Sequence, residues 1–376
     1  MFCWTRLGGS KTNVLTIDKL TVSAYTIPTD LPEGDGTLDW NSTTLVLVQV
    51  TGGSESGIGY TYADTATGRL IQDKLRPLIE GGDIGNIPGL WKQMSVHTRN
   101  LGHAGIVAMA ISAVDTALWD LKARLLRVPL CELLGMVRTS IPLYGSGGFT
   151  TYSIGQLQKQ LADWAATGMR WVKMKVGREP ETDLARVGAA RKAIGSQAAL
   201  FVDANGAYSR KQSLELAQRF AELDVAWFEE PVSSDDLEGL RSIRDRAPAG
   251  MEIAAGEYGY DLIYFRRLIE AGAVDVLQAD VTRCGGITGF MGAGILAEAS
   301  GLPLSSHCAP LLHLHPACSI NQFRHAEYFH DHVRIEHLFF DGVPSPEKGR
   351  ITPDRTRPGL GVAFKEKDAR KYEKQF

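Results

Sequence analysis

The sequence predicts an α/β fold in which a closed barrel of parallel strands follows a smaller α+β domain. The chain has 376 residues, which exceeds a typical single domain of about 100 to 200 residues but fits a barrel with a second domain. From position 141 onward, short apolar runs alternate with helical segments. Three runs end in an acid, Asp203, Glu229 and Glu257, at intervals of 26 and 28 residues. Because a strand with its crossover helix takes about 30 residues, these acids fall at the same end of successive parallel strands.

Composition and charge indicate a globular protein that acts on a small molecule. Hydrophobic residues make up 44% of the chain and charged residues 22%, close to the globular averages of about 45–50% and about 25%. The formal net charge of −3 provides no basic surface for nucleic acid or an anionic membrane, so we expect neither as a partner. No apolar run approaches the length of about 18 residues that a membrane span needs.

The cysteines and the start of the chain predict a cytoplasmic location. The five cysteines, Cys3 among them, are odd in number and form no CxxC pair, which indicates free thiols in a reducing compartment. The opening stretch MFCWTRLGGSK lacks the apolar core of a signal peptide.

The N-terminal part, residues 1–137, reads as an α+β domain. Residues 14–26 and 43–50 are rich in β-branched types and predict antiparallel strands. Between them, residues 29–41 carry Gly, Pro and Asp and predict a loop, which is a candidate lid. Residues 104–126 predict a helix, because apolar residues recur at helical spacing among strong helix formers. A short second helix is expected to end on Gly135.

The central part, residues 138–345, predicts the barrel. Its βαβ alternation gives seven strands, which a closed barrel accommodates best. The predicted strands are 141–144, 171–176, 200–203, 226–229, 252–255, 274–278 and 302–305, with helices that include 181–194, 211–223 and 287–299. The last segment, residues 346–376, is rich in Pro and Gly and then charged, so we expect it to leave the barrel and pack on the first domain.

Two lysines on the second predicted strand are candidate catalytic groups. Lys173 and Lys175 are two residues apart in the run WVKMKVG and therefore point to the same side of the strand. An edge strand with solvated lysines is the alternative, but the apolar neighbours Val172, Met174 and Val176 indicate that the other face is buried. Two ammonium groups held together near a metal lower each other's pKa, so one lysine is predicted to be a base near neutral pH.

The acids at the strand ends predict a metal site. Oxygen ligands that converge from three strands, here Asp203, Glu229 and Glu257, suit Mg²⁺. A single acid after a strand is commonly a helix cap or turn residue, but three in phase favour a cation site.

The next two strands continue the pitch with Asp280 and His307, at intervals of 23 and 27 residues. An Asp that accepts from one imidazole nitrogen fixes the tautomer and raises the basicity of the other nitrogen, so the pair predicts a catalytic dyad. A structural histidine is the alternative for His307. Twenty residues further on, Glu327 falls at an eighth strand-like position, where a surface role is the alternative.

The order of the motifs KMK, DAN, FEEP, AAGE, QAD and SSH, together with AISAVDTALWDLKARLLRVPLCELLG, resembles the enolase superfamily and, within it, the mandelate racemase subgroup. The resemblance covers essentially the whole chain. It implies a modified TIM barrel, (β/α)7β, with an N-terminal α+β capping domain that the C-terminal segment completes. It also implies a homo-oligomer, between a dimer and an octamer.

The resemblance assigns roles to individual residues. Asp203, Glu229 and Glu257 match the Mg²⁺ ligands. Lys175 matches the base on one face of a carboxylate substrate, and His307 with Asp280 matches the acid/base on the opposite face. The groups that match contacts to the substrate are Lys173, Asn205 and Glu327.

These residues predict abstraction of the proton next to a carboxylate through an enediolate. We expect an acid sugar dehydratase that converts an aldonate or aldarate to a 2-keto-3-deoxy acid. A racemase or epimerase of a 2-hydroxy acid and a cycloisomerase use the same pair and are the alternatives, with a non-catalytic binding protein as a third.

Two segments of the capping domain are expected to determine which substrate binds. Residues 29–41 offer Asp30, Glu33 and Trp40, and residues 97–103 offer Arg99 and His103. Such hydrogen-bonding groups suit a polyhydroxylated chain, while the alternative is that these polar loops are only solvated.

Overall fold

The computed structural model describes residues 15–376. The first predicted strand began at position 14, and this residue, Cys3 and the stretch MFCWTRLGGSK lie outside the described part of the chain.

An antiparallel sheet with helices packed on it forms the capping domain, which confirms the predicted α+β architecture. The strands are β1 (Lys19–Gly34), β2 (Asp39–Gly52) and β3 (Glu55–Tyr62). The helices are α1 (Thr65–Leu70), α2 (Arg76–Ile79), α3 (Ile87–His97), α4 (Ile106–Leu125) and α5 (Leu130–Leu133). Helix α4 packs against β2 and β3, and its alanine-rich sequence lets it bury most of its surface.

The predicted loop over residues 29–41 is wrong in its extent. Strands β1 and β2 form one long hairpin, and only residues 35–38 form its turn. Pro32 and the Gly and Asp residues of this segment suggested a loop, but the ladder tolerates them through a register shift between Pro28 and Glu33. Asp35 closes the turn, because its side chain accepts hydrogen bonds from the backbone N–H groups of Thr37 and Leu38.

The tip of this hairpin reaches the barrel. A Cβ atom on Gly36 would lie 2.4 Å from the carbonyl oxygen of Ala204 and 2.7 Å from that of Val176. Only glycine allows this approach, so the hairpin rests on the ends of the second and third barrel strands.

Eight parallel strands close into the barrel, as predicted. Strand β11 pairs with β4 and shuts the sheet, so Glu327 lies on a true eighth strand. The strands are β4 (Ile141–Gly147), β5 (Trp171–Lys175), β6 (Ala199–Asp203), β7 (Val225–Glu229), β8 (Glu252–Ala255), β9 (Val276–Ala279), β10 (Leu304–Ser306) and β11 (Phe323–Phe329). The helices are α6 (Ile154–Ala166), α7 (Pro180–Ile194), α8 (Arg210–Ala221), α9 (Leu237–Arg244), α10 (Leu262–Glu270), α11 (Gly286–Ala299), α12 (Pro310–Ala317) and α13 (His330–Phe339).

The lumen of the barrel changes from apolar to charged along its axis. Side chains that include Tyr144, Phe201 and Trp227 form a buried cluster inside the barrel. Two residues further along their strands come Asp203 and Glu229, which also face inward because strand side chains alternate. The aromatic side chains therefore form the layer of the barrel lumen directly below the charged groups.

Helix α13 contains the charge-rich run HDHVRIEH. It is a regular helix, and both Asp331 and Glu336 are buried. The Tyr60 hydroxyl donates to Glu336 over 2.7 Å, and the Thr43 hydroxyl donates to Asp331 over 2.5 Å. These two acidic side chains are buried because their hydrogen bonds join the capping domain to the barrel.

The C-terminal segment contacts both domains. Strand β12 (Phe340–Asp341) precedes this segment, which contains β13 (Arg350–Ile351), β14 (Ala363–Phe364), α14 (Glu366–Ala369) and β15 (Glu373–Lys374). Strand β13 pairs with β4 of the barrel, whereas β15 pairs with β1 of the capping sheet. The domain boundaries at 137 and 345 stay predictions.

Among residues 15–376, no helix is long and apolar enough to cross a membrane.

Candidate active site

A cavity of about 430 Å³ lies between the mouth of the barrel and the capping hairpin. Catalytic candidates from the barrel and side chains from the cap share its wall. The barrel contributes Lys175, Asn205, Glu257, Tyr258, Arg283, His307, Cys308, Phe329 and His332, and the cap contributes Asp35, Leu38, Trp40, Ser42, Thr43, Thr44, Tyr62, Ala63 and Asp64.

The three predicted metal ligands converge. Asp203 and Glu229 end β6 and β7, and Glu257 follows β8. One carboxylate oxygen from each acid lies within 4.8 Å of the others, and all three side chains are buried. A Cβ atom on Gly256 would lie 2.1 Å from the carbonyl oxygen of Gln278, so glycine is needed where the chain turns to present Glu257.

The electrostatics of this triad fit a hard divalent cation. Burial and the neighbouring Asp203 raise the pKa of Glu229 to about 8. Burial would also raise the pKa of Asp203, but Lys175 and Lys173 lower it to about 2. The buried Oε2 of Glu257 has no hydrogen-bond partner among the described residues. Oxygen-only ligands, like charges that repel and a buried oxygen without a hydrogen bond together match a Mg²⁺ site.

The two lysines extend into this anionic site. Lys173 Nζ lies 2.6 Å from Glu229 and 2.8 Å from Glu327, while Lys175 Nζ lies 2.5 Å from Asp203 and 3.1 Å from the side-chain oxygen of Asn205. Burial and Lys173 lower the pKa of Lys175, but the carboxylates, led by Asp203, raise it above its usual value. The acids therefore outweigh the repulsion between the two lysines, and the predicted lowering of the Lys175 pKa, which depends on a metal held by these acids, stays a prediction.

The predicted dyad is in place on the other side of the triad. His307 Nδ1 lies 2.7 Å from Asp280 Oδ2, and His307 Nε2 lies 3.3 Å from Glu257 Oε2. Burial lowers the pKa of His307, but Glu257 and the hydrogen bond to Asp280 raise it above its usual value. Burial would raise the pKa of Asp280, yet His307 holds it well below its usual range. The pair favours a charged imidazolium beside an ionised carboxylate.

Glu327 completes the ring opposite the metal triad. It is buried on β11 and accepts hydrogen bonds from the Ser146 hydroxyl over 2.5 Å and from the backbone N–H of Cys308 over 2.7 Å. Burial would raise its pKa, but Lys173 and His307 hold the pKa of Glu327 well below its usual range. The surface alternative for Glu327 is therefore wrong.

Strained backbone marks the strand ends that carry these groups. Positive φ angles occur at the non-glycine residues Asn205 (47°), Glu230 (37°), Cys308 (50°) and Ala309 (36°). Each position follows a strand with a catalytic candidate, and such conformations cost about 1–3 kcal/mol each. The strained backbone positions therefore lie where the chain orients side chains toward the cavity.

Several groups of the site were not anticipated from the sequence. Arg283 is three residues after Asp280, donates to the backbone carbonyl of Glu257 over 3.2 Å and lies over the ring of Tyr258. The sequence signal for Arg283 was its position three residues after Asp280, at the end of a predicted barrel strand. Tyr62 stacks on His332 with ring centroids 3.5 Å apart, and nothing local in the sequence predicts this contact between β3 and α13.

The predicted specificity residues divide into two groups. Trp40 lines the cavity, and Glu33 is buried behind it and accepts from the Trp40 indole over 2.9 Å. Asp30 points away from the cavity and pairs with His330. Arg99 is exposed, and His103 lies 4.0 Å from Asp261; neither lines the catalytic cavity, contrary to the expectation for residues 97–103.

The barrel, the cap and the triad of acids define an enzyme of the enolase superfamily. Residues 156–368 match the family model "Enolase C-terminal domain-like", and residues 31–135 match that of the mandelate racemase / muconate lactonizing enzyme N-terminal domain. The chain belongs to the mandelate racemase / muconate lactonizing enzyme family, and the predicted resemblance is confirmed.

Three similar proteins illustrate the range of this family. A mandelate racemase/muconate lactonizing enzyme-like protein from Rubrobacter xylanophilus is 52% identical, with a TM-score of 0.94 over 96% of this chain and 100% of that one. The 3,6-anhydro-alpha-L-galactonate cycloisomerase of Streptomyces coelicolor is 32% identical over 93% of this chain and 97% of its own. The L-talarate dehydratase from Polaromonas sp. JS666, complexed with Mg and L-glucarate, is 29% identical, with a TM-score of 0.86 over 96% of this chain and 98% of that one.

These relatives confirm that the protein is an enzyme and that its cofactor is Mg²⁺. In this chain, Asp203, Glu229 and Glu257 are the residues that would hold the ion.

Proposed function

We propose that this enzyme dehydrates an acid sugar, an aldonate or aldarate, to a 2-keto-3-deoxy acid. The observation that carries the proposal is the placement of two proton-transfer groups on opposite flanks of the triad. Lys175 lies on β5, next to Asp203, and His307 follows β10, next to Glu257. Both line the same cavity, so a substrate there meets one group on each face.

Lys175 would take the proton from the carbon next to the substrate carboxylate. This role needs the neutral amine. The acids beside Lys175 oppose the neutral form, the positive charge of Lys173 favours it, and a cation held by the acids would offset their effect. When bound, Mg²⁺ supplies a Lewis acid that stabilises the enediolate charge by several kcal/mol.

The substrate carboxylate would lie near Lys173 and Glu327. Lys173 is fully buried, and its ammonium group contacts acids from three strands. Glu327 is fixed by Ser146 and Cys308, so its position does not depend on the substrate. The fixed ammonium group of Lys173 lowers the cost of charge development at the substrate carboxylate.

His307 would complete the reaction as an acid. Asp280 holds Nδ1 and leaves Nε2 for the cavity side. The α C–H bond breaks, its electron pair forms the C=C bond, and the β C–O bond breaks as the hydroxyl takes the proton from Nε2 and leaves as water. The resulting enol tautomerises to the 2-keto acid.

The wall that faces the rest of the substrate supports a polyhydroxylated chain. Asp35, Ser42, Thr43, Thr44 and Asp64 line the cavity from the cap. Hydroxyl and carboxylate groups of this kind pair with sugar hydroxyls.

A cycloisomerase is the second candidate, because the Streptomyces coelicolor cycloisomerase aligns with 93% of this chain. The same two groups serve it, since proton removal and return also need an acid and a base. Isomerisation conserves the substrate mass, whereas dehydration removes one water.

A panel of aldonates, aldarates and their anhydro and lactone forms, incubated with the enzyme and Mg²⁺, distinguishes these functions. We expect a 2-keto acid, trapped as its semicarbazone, from at least one open-chain acid. A 2-keto acid of unchanged mass, formed only from an anhydro or lactone form, would replace dehydration by cycloisomerisation, because the leaving oxygen stays attached to the product. An isomer of unchanged mass with no keto acid would indicate an epimerase. No reaction across the panel would reject both functions.

Two further expectations stay predictions. One is a cytoplasmic location, which the four unpaired cysteines in the described part of the chain support, and the other is homo-oligomeric assembly.

A further inference from the structure

We propose that Asp30, Glu33 and His330 form a second cation site, outside the catalytic cavity, that takes a divalent transition metal such as Zn²⁺. One carboxylate oxygen from each acid and a ring nitrogen of His330 lie within 4.8 Å of one another. His330 Nε2 lies 2.9 Å and 3.1 Å from the two oxygens of Asp30. The site joins the capping hairpin to the start of α13.

Glu33 provides the independent reason to expect a ligand. Its side chain is 0% exposed, and Oε2 accepts the indole N–H of Trp40. Its other oxygen, Oε1, is buried without a hydrogen-bond partner among residues 15–376. Such an orphaned carboxylate oxygen carries a desolvation penalty that a bound cation removes.

The positively charged side chain near Glu33 is paired with another acid. Asp331 is the second buried acid nearby, and its Oδ1 is taken by Arg334, while Thr43 donates to its Oδ2. Arg334 also donates to the carbonyl oxygen of Pro28, and Glu33 Oε1 receives no hydrogen bond from it, so a divalent ion would supply the missing positive charge beside this oxygen.

The ligand types favour a transition metal over Mg²⁺. An imidazole nitrogen with two carboxylates is a set that Zn²⁺ accepts, whereas Mg²⁺ prefers oxygen ligands alone. The side chains of His330 and Asp30 are 27% and 44% exposed, so solvent reaches one side of the cluster and a water can complete the coordination.

A cation here would act on the active site through the hairpin. It ties Asp30 and Glu33 of β1 to His330 on the barrel, and Glu33 in turn holds Trp40. Trp40 lines the catalytic cavity and packs edge-on against Phe149. Occupancy of the site therefore fixes one wall of the substrate cavity.

Zn²⁺ titration calorimetry of the metal-depleted full-length protein tests the proposal, with saturating Mg²⁺ present to protect the catalytic triad. We expect one more equivalent of Zn²⁺ in the wild type than in Glu33→Gln or His330→Gln, or binding weaker by more than about 100-fold in the variants. Asp163→Asn is the matched control, because Asp163 lies on the neighbouring surface but pairs with Lys159, and it should bind like the wild type.

Asp30→Asn, at the more exposed ligand, repeats the test if removal of a buried group disturbs folding. Equal Zn²⁺ stoichiometry and affinity in the wild type and all three ligand variants would overturn the proposal, and so would a wild type that binds no Zn²⁺ in saturating Mg²⁺. The readout is metal binding, so it is independent of whether the enzyme dehydrates an acid sugar.

Discussion

His307 Nδ1 lies 2.7 Å from Asp280 Oδ2, and this contact orients the imidazole so that Nε2 is the nitrogen left for the cavity side. The two residues come from neighbouring strand ends, after β10 and β9, and both are buried. Thr282 fixes Asp280, because its backbone N–H donates to Asp280 Oδ1. The backbone N–H of the adjacent Val281 donates to Nε2 of the buried His313. The dyad is therefore held rigidly before substrate arrives.

Asp280→Asn should lower kcat by about 10²- to 10⁴-fold without unfolding the protein, because the imidazole loses the partner that sets its tautomer and stabilises its charge. Steady-state kinetics and a thermal melt measure the two effects. Asp245→Asn is the control, since that acid forms an exposed pair with Arg241. A variant that retains full activity would remove Asp280 from the mechanism.

The two proton-transfer groups should separate the two halves of the reaction. We expect His307→Asn to retain exchange of the α-proton with D₂O while dehydration is lost, because Lys175 still reaches the α-carbon. Lys175→Ala should lose both. Proton NMR of the substrate follows exchange, and His97→Asn, at an exposed histidine, is the control. The reverse pattern would exchange the roles of Lys175 and His307.

Glu257→Gln should weaken Mg²⁺ binding by more than about 10-fold, because an anionic ligand becomes a neutral amide. Titration calorimetry measures the affinity. Glu252→Gln is a matched control on the same strand, where the acid pairs with Arg324 at the opposite end of the barrel. Chelation should also abolish activity, and added Mg²⁺ should restore it. Equal affinity in both variants would exclude Glu257 as a ligand.

Glu336 should make the stability of the fold depend on pH. Burial raises its pKa to about 8, above the unfolded value of about 4.3, so the folded protein holds a proton that the unfolded chain releases. This contribution is complete below about pH 4.3 and declines by roughly 1.4 kcal/mol per unit until the pH reaches the folded pKa.

Urea unfolding at pH 5, 6 and 7 measures this slope. Because other buried acids such as Asp115 also titrate, the test is the difference between proteins: Glu336→Gln should lose less stability with rising pH than the wild type. Glu366→Gln, at an exposed position, should keep the wild-type slope. Identical slopes in all three proteins would contradict the assignment.

Much of the barrel could be predicted because its signals are local and repeat. The apolar runs before Asp203 and Glu229 end where β6 and β7 end, since strand length and crossover length fix the pitch. The catalytic candidates follow from the same periodicity. Their convergence needs no information beyond the closure of the sheet.

The cap was less predictable because its contacts are between segments distant in sequence. The turn chemistry of Pro32 and Gly34 pointed to a loop, yet pairing with β2 extends the ladder through most of it. Burial of Glu33 depends on Trp40 and on α13, and no local pattern encodes such an environment for an acid. The stacking of Tyr62 on His332 joins residues 270 positions apart and was missed for the same reason.

The most direct test of the two-faced site is turnover of acid sugars in D₂O, with and without Mg²⁺, analysed by NMR and mass spectrometry. We predict a 2-keto-3-deoxy acid that carries deuterium at C3, formed only with Mg²⁺ and absent in Lys175→Ala. An active substrate whose conversion persists after chelation, or persists in Lys175→Ala, would contradict the account.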